Sequence, residues 1–389
     1  MKILCITSRV PWPLEKGDKL RIYHQLRELS RHHELILFAV NDAPLHPEAL
    51  KELKKYCSRV EVHTHSRLQL LMNLLRGWWN GQPFQVAYFT SPSSRRQLAK
   101  LIREERPDSL YCQLIRTAEY RNTAPLLPAV LDYMDVFSKG VERRIANVAW
   151  YKRWLFRMEW KRLLRYEEKV FSWFNRHTVI SAQDRDLLPV ADKQAVAVVP
   201  NGVDTEYFHP EAGEKSFELL FNGNMNYPPN IESAQFIVNK ILPLVHRKHP
   251  NVRLLISGAS PAPEVLALAG DRVVVSGWVE DVRDSYRKSS ILVAPMMISI
   301  GLQNKLLEAM AMKLPCVTTA LSNNALQAIP GEELLLAGTP EEFADQICFL
   351  LEHPDRLAVL AENGWKLITS RFDWASCTAR LEVLFHQLR

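Results

Sequence analysis

The chain reads as short apolar runs separated by longer stretches in which apolar residues recur every three or four positions. In the first half the runs fall at 2–7, 34–40, 59–62, 109–112, 130–133, 178–181 and 195–199. Helical periodicity lies between them at 19–31, 47–55 and 95–105, with one long stretch around 141–174. The second half repeats the scheme, with runs at 218–221, 253–257, 273–276, 291–294, 316–318 and 334–336 and helices at 231–247, 302–312 and 340–351. The runs are mostly β-branched and lack strict polar alternation, as strands buried on both faces do. Strand–helix alternation twice over predicts two doubly wound α/β domains. Pro200-Asn201-Gly202-Val203-Asp204 is turn chemistry and Pro210-Glu211-Ala212-Gly213 continues a breaker-rich connection. We therefore expect a first domain over 1–200 and a second over 201–371, with a last amphipathic helix in 372–389 crossing back to the first.

Composition narrows the class. A chain of 389 residues exceeds what one core usually serves, and 47% hydrophobic with 24% charged residues excludes wholesale disorder. No uncharged apolar run reaches the length of a transmembrane helix, and the apolar start reads as a first strand rather than a signal peptide. Six scattered cysteines without C-x-x-C spacing indicate a reduced, cytoplasmic protein and no zinc site. The net charge of +6 hides a split: residues 1–200 carry 33 Lys and Arg against 21 acids, residues 201–389 carry 16 against 22. Opposite signs suggest halves with different partners.

Ligands of open α/β sheets bind outside the carboxyl ends of the strands, so the loops there matter most. The loop after the first run, Ser8 to Asp18, leads into a helix with Asp18 placed as its N-cap and Arg21 one turn in. Gly17 would let backbone approach a ligand, although a plain capped turn explains the same residues. No G-x-G-x-x-G follows the first run, and neither G-x-x-x-x-G-K-[ST] nor G-x-S-x-G occurs, which removes the dinucleotide, P-loop and nucleophile-elbow readings. After 291–294 a loop reaches Gly301, and a helix follows with Asn304, Lys305 and Glu308 within one turn. Lys305 and Glu308, three apart, share a face. Such a pair suits a nucleoside diphosphate, with phosphates at the helix start and lysine and ribose hydroxyls at the carboxylate. It would equally serve as an ion pair on a solvated face.

Four segments in order change that balance: Pro200-Asn201-Gly202-Val203-Asp204, Leu220-Phe221-Asn222-Gly223, Ser276-Gly277-Trp278-Val279-Glu280-Asp281-Val282 and Asn304-Lys305-Leu306-Leu307-Glu308-Ala309-Met310-Ala311. Together they resemble the family-4 retaining glycosyltransferases of the GT-B fold, two Rossmann-like doubly wound parallel-sheet domains facing a cleft. The loop Pro11 to Arg21 and the segment Val130 to Ser138 look like the exopolysaccharide sugar transferases associated with PEP-CTERM protein sorting. The resemblance implies that Glu308 is the second carboxylate of an E-x7-E motif and binds the donor ribose. It implies that Trp278 and Val279 line the nucleobase pocket, that Gly301 and Leu302 face the donor phosphates, and that the Gly17 loop closes over the donor. Gly223 and Asn224 fall where the family holds the diphosphate. Two departures stand out: Ile300 replaces the first motif carboxylate, and no cation follows Gly223. Lys305 is therefore expected to neutralise the diphosphate, without metal or other cofactor. Asp18 and Asp135 are the acidic candidates for moving the acceptor proton, with Gly17, Arg21, Asp132, Gln113 and Arg116 beside them on the acceptor or sugar side.

The acceptor is expected to be a glycan or a lipid-linked glycan. Residues 142–176 hold ten Lys and Arg, four acids and four tryptophans, and 68–79 is rich in Leu and Trp. Such helices could lie on an anionic membrane surface, or bury their aromatics in the core. No nucleic-acid motif accompanies the charge. A nucleotide-sugar epimerase and a non-catalytic sugar-nucleotide-binding component are the competing functions.

Overall fold

The computed structural model describes residues 1–211, 213–297 and 302–388, apart from the side chains of residues 146 and 147. Contacts divide the chain into Met1–Asn201 with Cys377–Arg389, and Gly202–Ser376. The first unit holds a parallel sheet of β1 (Lys2–Thr7), β2 (Glu34–Asn41), β3 (Arg59–Thr64), β4 (Ser109–Gln113), β5 (Ala129–Asp132), β6 (Arg176–Val179) and β7 (Val196–Val198), in the order 3-2-1-4-5-6-7. Successive side chains of a strand point to opposite faces, and here both faces are apolar. Leu4, Ile6, Ile36 and Phe38 enter one core; Ile3, Cys5, Leu35 and Leu37 enter the other. That double burial is why the runs lack polar alternation.

Around the sheet lie α1 (Gly17–Leu29), α2 (Arg67–Trp79), α3 (Pro92–Glu105), α4 (Phe137–Asn147) and α5 (Arg153–Phe171). The single helix expected around 141–174 is thus two. Val148 and Ala149 take extended conformations, and one turn of 3-10 helix at Trp150–Lys152 restarts the chain. Asp18 also differs from expectation: Lys16 is the residue before α1, and Asp18 lies in its first turn. There its charge still complements the helix N-terminus.

The second unit repeats the plan with β8 (Phe217–Asn222), β9 (Leu254–Ser257), β10 (Val273–Gly277), β11 (Ser289–Ala294), β12 (Cys316–Thr318) and β13 (Leu335–Leu336), parallel in the order 10-9-8-11-12-13. Its helices include α6 (Pro228–Phe236), α7 (Arg283–Arg287), α8 (Asn304–Ala311), α9 (Pro340–Glu352) and α10 (Pro354–Arg371). The stretch after α6 passes through a π-helical segment, Ile237–Ile241, before resuming at Leu242. Pro243 has no N–H to donate and clashes with an ordinary preceding turn, which accounts for the wider winding there. The last helix, α11 (Trp374–His386), sends Leu381, Leu384 and Phe385 into the first unit's core beside Ile3 and Cys5.

In each sheet the strand order reverses beside its first strand. The crevices at such switch points open at the carboxyl ends of β1 and β4, and of β8 and β11. The candidate residues cluster at those two places.

Candidate functional site

At the carboxyl ends of β8, β9 and β10 backbone packs against backbone. The Gly223 N–H donates to the Ser257 carbonyl at 3.1 Å, and the Gly258 N–H to the Gly277 carbonyl at 3.0 Å. A Cβ on Gly258 would stand 1.7 Å from the Gly223 oxygen, so no other residue fits. A Cβ on Gly223 would reach within 3.3 Å of Lys305 Nζ. The missing side chain at Gly223 leaves room for a lysine amine against the end of β8.

Lys305 is not on a solvated face. It is 8% exposed, and its Nζ donates to Asn230 Oδ1 at 2.9 Å and lies 4.4 Å from the centre of the Phe221 ring. Burial, opposed by Glu308, lowers its pKa to about 7. A cation so placed has no carboxylate in hydrogen-bond contact among the described residues, and its interior cost calls for an anionic partner. Glu308, one turn on, is held by a chain of donors. Asn222 Nδ2 donates to Tyr286 Oη at 2.6 Å, and Tyr286 Oη donates to Glu308 Oε2 at 2.6 Å. Part of the Glu308 surface reaches solvent, yet its carboxyl group is surrounded by protein, and this burial raises its pKa to about 7 against the pull of Tyr286 and Lys305. Perturbed groups of opposite sign at a strand end make this pair the candidate site.

Around this pair, Asn304 opens α8 and Leu302 packs against the unit's core. Asn224 accepts from the Asn226 N–H at 3.0 Å, closing a turn, and its carbonyl accepts from Asn230 Nδ2 at 2.9 Å. After β10, Gly277 takes a left-handed φ of 68°, Trp278 is 71% exposed and Val279 is half-buried. Gly301 and Ile300 lie outside the described residues.

The first unit gathers its candidates at the carboxyl ends of β1, β4 and β5. Arg21 and Asp132 do not face a ligand there: both are wholly buried and bound to each other, Nε to Oδ2 at 2.7 Å. Tyr111 Oη and Thr178 Oγ1 also donate to Asp132, at 3.0 and 2.8 Å, and Arg21 reaches the Pro200 carbonyl and Asn201. The expectation that these two residues contact acceptor or sugar is thereby corrected; the pair ties α1 and β5 to the unit's last turn. Asp18 pairs with Arg9 at 2.6 Å, and Gln113 Nε2 donates to the Asp18 carbonyl at 2.7 Å. Arg116 lies over the Phe89 and Phe137 rings and donates to Gln85 at 2.9 Å. Gly17 faces open space.

Asp135 is the exposed carboxylate of this group. Met134, just before it, holds a left-handed φ of 58°, and Leu114 at the end of β4 holds 66°. Non-glycine residues in that region are costly and cluster at functional loops. Crowding by protein atoms, then Asp184, pushes the Asp135 carboxyl above its ordinary range, and its exposure lets water screen part of that push. Away from Asp135, a hollow of about 90 Å³ beside the loop 8–18 is lined by Arg9, Trp12, Lys16, Lys19 and His46.

Residues 216–353 match the family of glycosyl transferases group 1. The second unit carries a group 1 glycosyltransferase domain. An uncharacterized 44.6 kDa protein in the cps region of Klebsiella pneumoniae is 23% identical to the chain, over 96% of both. Among solved structures, HepE of Anabaena in complex with UDP superposes with a TM-score of 0.69 over all of both chains, at 14% identity. Sucrose-phosphate synthase of Thermosynechococcus elongatus gives 0.68 at 15% identity, over all of this chain and 99% of the other. The two-sheet architecture is the GT-B fold.

Within the glycosyltransferase domain, the pattern of residues pointed to Lys305, Glu308 and Gly223 but not to the groups that hold them. Asn222, Asn230 and Tyr286 carried no spacing signal, since each is distant in sequence from the side chain it binds. Elsewhere, His33, Glu382 and His386 could share a cation, with ligand atoms within 4.8 Å. In the structure Glu382 takes hydrogen bonds from His32 and His33 at 3.0 Å, fastening α11 to the first unit.

Proposed function

We propose that the chain is a retaining glycosyltransferase that moves a sugar from a nucleoside-diphosphate donor to a glycan or lipid-linked acceptor in exopolysaccharide synthesis. The observation that carries this reading is the buried Lys305 beside the Tyr286-held Glu308, at a strand switch point of the group 1 domain. The HepE structures with UDP and UDP-glucose support a nucleotide-sugar donor, and the Klebsiella relative from a cps region supports a polysaccharide product.

Departure of the nucleoside diphosphate leaves negative charge on the bridging oxygen, and a fixed cation there lowers the barrier most. Lys305 supplies it, and the lysine becomes fully protonated once the diphosphate is bound. Glu308, its Oε2 occupied by Tyr286, offers Oε1 to ribose hydroxyls. With Ile300 at the first motif position, no carboxylate there contacts the transferred sugar. The acceptor hydroxyl attacks from the face the leaving group departs from and passes its proton to the departing phosphate. Lys305 takes the charge-neutralising role that a metal fills in other transferases.

Incubation with a panel of nucleotide sugars tests this. Slow hydrolysis that releases nucleoside diphosphate, accelerated by a glycan acceptor, is expected. Epimerised donor with no diphosphate released would instead establish an epimerase, and binding without turnover a non-catalytic component.

A further inference from the structure

The helix α2 is turned outward. Its apolar residues Leu68, Leu71, Met72 and Leu75 are 53–68% exposed and Trp79 is 83% exposed. Asn73 and Gly77 are the residues it buries. Gly77 lies so close to Phe84–Ala87 that a Cβ there would stand 2.2 Å from the Ala87 Cβ. The helix is therefore packed by its smallest residue and shows its largest to solvent, the reverse of an ordinary surface helix. The apolar surface continues onto the next helices. Trp78 meets Trp154 edge-on at 6.5 Å, and Arg162 lies 5.2 Å over the Trp78 ring. Trp150 and Trp154 are 81% and 60% exposed, whereas Trp160 and Trp173 pack against the core. The tryptophans of this region thus divide between the two roles that the sequence left open.

Cations rim this surface. The helix α2 carries Arg67 and Arg76 and no acid. On α5, Arg153, Arg157 and Lys161 recur every four residues and line an open groove of about 560 Å³ with Glu142, Ile145 and Trp160. The acids of the region are mostly occupied. Glu159 accepts from the Phe84 and Gln85 N–H groups, Glu167 from the Ser138 N–H, and Glu142 pairs with Lys139. A second copy would set this basic rim against an identical one, and an apolar protein partner would leave the cations unanswered. An anionic bilayer answers both features, with acyl boundary for Leu and Trp and headgroup phosphate for the cations.

We propose that α2, Trp150–Lys152 and the Arg153–Lys161 face of α5 form a docking surface for an anionic lipid bilayer. The surface attaches at the headgroup level, since among the described residues no helix is long and apolar enough to cross a membrane. This deepens the acceptor side of the proposed reaction, but it is read by binding alone, so its failure and the failure of the transferase reading are separable.

Flotation of the full chain with vesicles is the test. The protein should rise with phosphatidylcholine vesicles containing phosphatidylglycerol at low salt, stay down with phosphatidylcholine alone, and be released by added salt. Arg153→Ser with Arg157→Ser should lower partitioning roughly 10–30-fold, at about fivefold per cation lost. Leu71→Ser with Trp79→Ser should lower it about tenfold or more, because binding scales with buried apolar area. All four residues are exposed, and unchanged circular dichroism and thermal unfolding would show that the fold survives. No flotation at low salt overturns the proposal, as does flotation that neither double variant reduces. A wild-type dimer dissolved by the Leu71 and Trp79 changes, without flotation, would make the surface an interface between copies and would also overturn it.

Discussion

Replacing Lys305 by Met should make the glycosyltransferase domain more stable and its turnover about 10²–10³-fold slower. The two effects have one cause. A lysine held near pKa 7 instead of its ordinary value disfavours the folded state at neutral pH, since each tenfold loss of proton affinity on folding costs about 1.4 kcal/mol. Methionine keeps the volume and removes the charge. It leaves Asn230 Oδ1 without its donor, which costs about 1–3 kcal/mol. A net gain of roughly 1–2 kcal/mol should remain, or a rise of about 2–8 °C in the midpoint for a domain of this size. Loss of a donor aimed at developing charge accounts for the slower turnover.

The pH dependence has a definite sign. Between about 7 and the ordinary lysine range the unfolded chain binds a proton at Lys305 that the native domain does not, so raising pH favours the native state. The stability advantage of Lys305→Met should therefore shrink as pH rises through that window. Nucleoside diphosphate should bind wild type more weakly above about pH 7, as the neutral amine takes over, whereas the variant should lack this step. A variant that loses stability while turning over normally would remove Lys305 from the site.

The second large effect belongs to the first unit. Asp132→Ala should destabilise it by about 3–5 kcal/mol, because Arg21 would be left charged and unpaired in an interior from which both groups are wholly excluded from water. Tyr111 and Thr178 would lose an acceptor as well. Arg21→Met combined with Asp132→Leu should recover most of the loss, since removing both charges removes the desolvation penalty with the attraction. Chemical denaturation of the single and double variants measures this, followed by a probe in the first unit. An Asp132→Ala protein of wild-type stability that lost only turnover would return Asp132 to the acceptor site.

The contrast between these residues shows what the amino-acid pattern carries and what it does not. The strands were legible because burial on both faces of a parallel sheet leaves uninterrupted β-branched runs. Lys2–Thr7 and Cys316–Thr318 are found where the runs stand. Lys305 and Glu308 were legible because one helical turn relates them. Arg21 and Asp132 were not, for they are 111 residues apart and meet only when α1 lies across the end of β5. Nor could periodicity tell which face of α2 is inward. That is decided by Gly77, whose missing side chain admits the neighbouring helix and leaves Leu68, Leu71 and Leu75 facing out. Lys305 and Asn230 illustrate the same limit in the second unit, where the lysine stood out in the sequence but the asparagine that holds it did not.

A nucleoside diphosphate is expected to seat on Lys305 and Glu308. Thermal unfolding with UDP, GDP and their sugars, run on wild type and on Glu308→Gln, tests it most directly. At about 100 times its dissociation constant, a ligand of the native state adds about 2.7 kcal/mol. At least one nucleotide should therefore raise the wild-type midpoint by several degrees and leave Glu308→Gln nearly unmoved. No shift with any nucleotide, or the same shift in both proteins, would remove the nucleotide from Lys305 and Glu308.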